Sequence, residues 1–423
     1  MSPISEASWS LRNGRIARLV VFVERDGAPI PVGELRFEGK GPMVRSRFAY
    51  ARSWLAREDA CTLDPIGLPL IARAALSDPY QTPLAFYDAG PDGWGKTVLR
   101  LAYPEQEALG FGQGEYLAAA SPDRIGEMLF GPSPDGPATW VPGPSEMKVP
   151  DGVETLEDLL AAAAAVEAGE AEPHHFRLLA DSATAAGGAR PKVSILQDGV
   201  PWIAKFPTRD DPFDDPRAEA LCLDLAAACG IDVPDHKLVE VRGRAVLLVK
   251  RFDRGSSGER FGYLSAATLL KFDPHGYATS LSYTDIAARG RTIGAIAETE
   301  LFRRLLFNHW IHNTDDHLRN HAFLRCGTGA PAEWTWRLAP AFDLVPHRQG
   351  QGPVRPSRRV AQSSDPQAAY AAWPEFSLSE NTAHAVRDEV MAGIRSLTEG
   401  FDRNGISVRD RAHLIDLMPA GRI

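Results

Sequence analysis

Phe307-Asn-His-Trp-Ile-His-Asn-Thr-Asp-Asp-His-Leu-Arg-Asn-His-Ala-Phe323 decides how the chain is read. It holds two adjacent carboxylates, Asp315 and Asp316, and the amides Asn308, Asn313 and Asn320. It also holds four of the chain's eleven histidines. Asp315 and Asn320 stand five positions apart. An Asp that takes a hydroxyl proton and an Asn that holds a metal ion have this separation in phosphoryl-transfer loops. About twenty residues on (a hairpin's length) comes Ala341-Phe-Asp-Leu344, where Asp343 supplies a second metal carboxylate.

Bulk composition sets the limits. The chain has 423 residues, enough for two or three domains, with 44% hydrophobic and 24% charged residues. A net charge of -9 argues against a free-standing nucleic-acid binder. Cys61, Cys222, Cys229 and Cys326 form no CxxC pair and read as reduced, mostly buried thiols of a cytoplasmic protein. The first twenty residues lack a signal-peptide pattern, and no apolar run is long enough to span a bilayer.

Outward from that stretch, the chain opens as a hairpin. Ile16–Val23 and Pro31–Phe37 are β-forming around an Asp26-Gly27 turn. Phe48–Tyr50 with Ser53–Leu55 reads as another strand edge, Phe86–Gly93 as a turn cluster, and Thr97–Leu101 as a helix. Pro- and Gly-rich sequence between Gly131 and Pro150 marks a domain boundary or a long surface loop. We place a β-rich subdomain at 1–150 and a nucleotide-binding and catalytic region at 151–423, mainly helical from about residue 254. Thr155–Gly169 is a helix of high propensity.

Ala185-Ala-Gly-Gly-Ala-Arg-Pro-Lys192 precedes a strand. Its paired glycines allow close approach to a phosphate, although the Walker A spacing is absent and a plain glycine turn is the bland alternative. Lys205 lies in the apolar strand Pro201–Pro207 and needs an acidic partner or a ligand. Glu219, in the first turn of the helix Arg217–Gly230, is the natural one. A strand lysine paired to a helix glutamate orients phosphates in kinases. Asp232–Asp253 reads as two strands around Arg242-Gly243, ending in Lys250-Arg-Phe-Asp253; a local salt bridge is the bland reading of Arg251 and Asp253.

Helices follow at Ser282–Ala287, Glu298–Ile311, Ser377–Leu397 and Val408–Leu417, with a hairpin at His321–Cys326 and Trp334–Leu338. His309, His312 and His321 read as packing or hydrogen-bonding groups. A zinc site on His317 and His321 lacks further ligands at matching spacing. Asp316 reads either as solvent-facing or as a partner beside the metal.

Five segments in order resemble the HipA-type serine/threonine kinases, toxins of bacterial toxin–antitoxin pairs. They are Gly187–Lys192, Trp202–Pro207, Lys250–Arg254, Asn313–Asn320 and Ala339–Val345. The resemblance covers most of the chain and implies an α+β, kinase-like two-lobed fold. It makes Asp315 the catalytic base, sets Asn320 and Asp343 on Mg²⁺, and sets Lys205 on the phosphates of ATP. The loop Gly187, Gly188, Ala189, Arg190, Pro191 and Lys192 would cover those phosphates. Lys250, Arg251 and Phe252 would line the adenine site, with His317 and Phe342 beside the nucleotide. The family's usual glycine after the catalytic Asp is Asp316 here, and its usual lysine is Arg319. Ala185 stands where the family often carries an autophosphorylated serine, so self-inactivation there does not carry over.

The resemblance further implies growth arrest by phosphorylation of a translation-related protein, such as an aminoacyl-tRNA synthetase. It implies a helix-turn-helix antitoxin of HipB type, with DNA contact only through that partner. A small-molecule phosphotransferase and a non-catalytic co-repressor are the other readings the residues leave open.

Overall fold

The computed structural model describes residues 9–38, 45–76, 82–140, 155–182, 188–272, 280–327, 330, 333–347 and 354–422. The chain forms two compact units, each woven from separate segments. The first comprises 1–204, 253–264 and 325–334; the second comprises 205–252, 265–324 and 335–423.

The first unit is built on a five-stranded antiparallel sheet. In spatial order its strands are Ala75–Leu76, Arg45–Tyr50, Ala28–Glu38, Arg18–Arg25 and Met128–Gly131. The opening hairpin turns at Asp26 and Gly27, both at positive φ (52° and 72°), as a tight two-residue connection requires. Arg45–Tyr50 buries Ser46, Phe48 and Tyr50 and turns the alternate residues outward, the period-two pattern of a half-buried strand. Arg18–Arg25 lies deeper, with Leu19 to Val23 all buried. Phe48, Phe86 and Phe130 pack in series, the first pair tilted and the second edge to face, with ring centroids 5.2 and 6.1 Å apart.

Two readings of this region change. Ser53–Leu55 is not a strand edge but part of a single helical turn, Arg52–Leu55, which drops Trp54 into the core. Phe86–Gly93 is not all turn: Ala85–Asp88 is a short helix, and a ten-residue helix runs Gly93–Ala102. Short apolar runs do not separate strand from helix by pattern, and here packing decided. Residues 141–150 of the Pro- and Gly-rich segment lie outside the described residues.

The later segments of this unit bring in its buried charges. Glu127 accepts hydrogen bonds from Arg25 at 2.9 Å and from Arg325 at 2.8 Å. Burial alone would raise its pKa, but the two guanidinium groups outweigh that and lower it. Asp253 accepts from the Gly126 N–H at 2.8 Å and pairs with Arg254 at 2.6 Å. Arg254 also reaches Asp123 at 3.0 Å.

The second unit is mainly helical. The helix Asp215–Ala228 is capped by Asp214, whose side chain accepts from the Arg217 N–H. His236–Val241 and Arg244–Lys250 pair antiparallel around Arg242 and Gly243, both at positive φ. Ser282 and Asp285 form a capping box on the helix Tyr283–Thr292. Glu298–Trp310 buries Leu301, Phe302, Leu305 and Leu306 on one stripe and carries Glu298 and Glu300 in its first turn, where the helix dipole favours them. Among the described residues no disulfide joins the four cysteines, and Cys222, Cys229 and Cys326 are buried. Among the described residues no helix is long and apolar enough to cross a membrane.

One polar cluster in this unit responds to pH. Asp224 meets His236 Nε2 at 3.2 Å and accepts from Asn404 Nδ2 at 2.9 Å. Burial works against a charged His236, but the bond to Asp224 outweighs it and raises the pKa above 6.5. A raised folded value means stability that is complete below the unfolded pKa and lost as pH rises through the folded one. His236→Gln is therefore expected to lower Tm by about 1–2 °C more at pH 6 than at pH 8.5. Thermal unfolding at the two pH values checks this; an equal loss at both would refute it.

Candidate functional site

The helix Glu298–Trp310 delivers the Asp315 stretch. It stops at Ile311, and His312 turns the chain at φ 55°. Asn313 then bonds back to the helix twice: its N–H donates to the Asn308 carbonyl at 2.8 Å, and its Nδ2 to Asn308 Oδ1 at 3.1 Å. The loop leaves Asp315 exposed and Asp316 buried. A short 3₁₀ turn, Leu318–Asn320, follows, and strand Ala322–Cys326 begins directly after His321.

Asn320 is buried and donates its Nδ2–H to the main-chain oxygen of Asp315 at 3.1 Å. The bond ties the two residues picked out by their spacing. It commits the amide nitrogen and leaves the amide oxygen as the acceptor for a cation. His317 is half-buried, and among the described residues its Nδ1 has no hydrogen-bond partner.

Under the loop lies a network that the sequence did not disclose. Asp316 accepts from the Tyr283 hydroxyl and meets His321 Nε2 at 2.8 Å. Asn308 Nδ2 donates to the same hydroxyl at 2.9 Å. Burial would raise the Asp316 pKa, but His321 and then Tyr283 outweigh it and hold it below the usual value. Burial, followed by the neighbouring Asp316 charge, pushes Tyr283 well above its ordinary range. The solvent-facing reading of Asp316 is thus replaced by a buried anchor, and His321 is its hydrogen-bond partner. Asn308 offered one clue: an amide among the buried apolar residues of its helix requires a partner.

Asp343 sits on an irregular segment pinned at several points. Arg304, buried on the Glu298–Trp310 helix, donates to the Ala339 carbonyl at 2.8 Å. The Ala341 N–H donates to the Asp232 carbonyl at 2.7 Å and the His347 N–H to the His312 carbonyl at 3.0 Å. Asp343 itself adopts φ 60°, the left-handed region that costs a non-glycine residue strain. Phe342 and Leu344, on either side of it, line one small cavity with Asn320, Asp316 and Asn308.

Lys205 joins this group from the end of its strand. Its Nζ lies 2.5 Å from Glu219 Oε1 and 2.7 Å from Asp343 Oδ1. Burial works against its charge, but Asp343 and Glu219 together raise its pKa. Glu219 was expected as the partner; the direct pair with Asp343, 138 residues away in sequence, was not.

The residues expected at an adenine site fall into two environments. The Phe252 and Phe342 rings lie 5.3 Å apart and Arg251 is buried, whereas Lys250 is exposed and pairs with Asp235 at 2.9 Å. Gly188 to Lys192 belong to the first unit. There Ala189 is exposed, Arg190 is half-buried, and Pro191 and Lys192 are buried. Gly187, with Ala185, lies outside the described residues.

Among the described residues no group of three or more His, Cys, Asp or Glu side chains is placed to hold a metal. A site of one carboxylate and one amide needs no such cluster. Mg²⁺ takes oxygen donors, uses one or two from protein, and completes its shell with phosphate and water. The Asn320 oxygen and the Asp343 carboxylate fit that chemistry.

Three likenesses to known proteins bear on this geometry. The model of the HipA-like C-terminal domain family matches residues 184–404, just over half of the chain. Y4dM of Sinorhizobium fredii, named provisionally as a kinase, is 30% identical over 231 residues. That match covers 49% of this chain and 53% of Y4dM, so the chain spans about half the length of this curated relative. The HipA chain of a Shewanella oneidensis toxin–antitoxin complex with HipB and operator DNA superposes with a TM-score of 0.60. It is 17% identical and covers 91% of this chain and 90% of that one. This likeness shows the fold: the α+β, kinase-like architecture of the HipA type.

Proposed function

Because the chain belongs to the family of the HipA-like C-terminal domain, we propose that it is an ATP- and Mg²⁺-dependent serine/threonine protein kinase. In this reading it is the toxin of a toxin–antitoxin pair, held by a helix-turn-helix antitoxin through which it meets DNA, and it acts in the cytoplasm on a protein of the translation machinery. The observation that carries the catalytic part is the ion triad Glu219–Lys205–Asp343. It brings together a strand lysine, a helix glutamate and a second acidic residue, the three charges a kinase uses to orient a triphosphate and its metal.

The proposed mechanism assigns each residue an act. Lys205, steadied by Glu219, orients the phosphates. Asn320 and Asp343 would hold Mg²⁺, which when bound neutralises charge on the phosphoryl oxygens. Asp315, exposed at the loop, accepts the proton of the attacking hydroxyl. Phe252, with Arg251 and Lys250 near it, meets the base, and the backbone of Gly188 to Lys192 is the phosphate-binding stretch of the first unit. Catalysis in this scheme is positioning plus electrostatics.

The test is transfer of labelled γ-phosphate in cells and in vitro. Label on serine or threonine of a protein supports the reading. Label on a small molecule, with none on protein, replaces it with the phosphotransferase alternative. Lys205→Ala is expected to lower kcat/KM about 100-fold. It also strands the buried Glu219. Adding Glu219→Gln should restore much of the lost Tm and none of the turnover. Recovery of turnover in the double variant would mean that the lysine is only structural.

A further inference from the structure

We propose that Gly93 and the main-chain N–H of Trp94 are positioning groups for the loop residues Gly188 to Lys192. The proposal rests on the nucleotide reading above and extends it to the start of the helix Gly93–Ala102.

Two observations carry it. The helix Gly93–Ala102 starts with N–H groups that have no partner inside the helix. One of them, on Trp94, donates to the Gly188 carbonyl at 2.9 Å. Beside it, the helix meets the loop backbone to backbone. A Cβ on Gly93 would lie 2.7 Å from Gly188 O and 2.8 Å from Ala189 Cα, closer than real Cβ atoms come. Gly188 itself is at φ 113°, a conformation open to glycine and strained for any other residue. The seat therefore requires glycine on both sides.

The contact has a chemical consequence. A peptide unit is planar and trans, so its C=O and N–H point in opposite directions. Fixing the Gly188 carbonyl on Trp94 aims the N–H of Ala189 away from the helix. Ala189 is exposed, and Lys192, close to Gly188, adds positive charge to the loop. Backbone N–H groups presented in this way bind phosphate oxygens. The seat thus bears on phosphate binding through the loop alone.

The experiment compares ATP with adenosine on the full chain. Calorimetric titration of Gly93→Ala is expected to show ATP, with Mg²⁺, bound about tenfold more weakly than by wild type. Adenosine affinity should be unchanged, and Tm should fall, because the added Cβ meets backbone that must shift. A role confined to packing would weaken both ligands alike, and that result overturns the proposal, as does unchanged ATP affinity. If wild type binds no ATP, the nucleotide reading falls and the seat with it; if wild type binds and Gly93→Ala matches it, only the seat falls. Should Gly93→Ala fail to fold, hydrogen exchange on wild type decides. Exchange at the Trp94 amide is expected to slow when ATP is added, and an unchanged rate overturns the proposal.

Discussion

Asp315→Asn is expected to reduce phosphate transfer from ATP by about 10³-fold, the scale set by loss of a general base. The same change at Asp343 should be as severe, because it removes both a metal carboxylate and a partner of Lys205. The fold should survive Asp315→Asn. Asp315 is exposed, and Asn320 bonds to its main chain, which the substitution leaves in place. A Tm within about 1 °C of wild type is expected, as for surface changes away from buried networks. Turnover with labelled ATP and a melting curve on the same preparation check both halves. Wild-type turnover in Asp315→Asn would remove the residue from the mechanism.

Asp316→Ala should do the reverse and damage the fold first. The side chain is buried and anchors Tyr283 and His321. Its removal leaves a buried hydroxyl and a buried ring nitrogen without their acceptor, a loss on the order of 3–5 kcal/mol. Denaturant unfolding measures it. The double variant with Tyr283→Phe should lose less than the sum of the single losses, because the two residues share one interaction. A loss below about 0.5 kcal/mol for Asp316→Ala would show that the network does not hold the loop.

The contrast between these neighbours shows what the sequence could disclose. Asp315 and Asn320 were legible because their relation is local: five residues apart, on one loop. Glu219 was legible from Lys205 because a lysine in an apolar strand demands an acid, and the next helix supplied one. Asp316 was not, since its environment depends on Tyr283, which lies 33 residues upstream on another helix. The Lys205–Asp343 pair was equally hidden, because only the pinned Ala339–His347 segment brings Asp343 to the strand. Among the elements, long periodic helices such as Glu298–Trp310 and Val408–Leu417 fell where expected. The short turns at Arg52–Leu55 and Ala85–Asp88 did not, because four residues carry too little pattern to oppose tertiary packing.

Weaving each unit from separate stretches makes the protein indivisible at the level of its gene. A fragment ending at residue 204 would carry Glu127 but not Arg325, and Asp123 but not Arg254. It would present an acid that burial penalises, with half of its counter-charge missing. Neither half can be expressed alone as a faithful miniature, so dissection by point substitution in the intact polypeptide is the route the architecture permits.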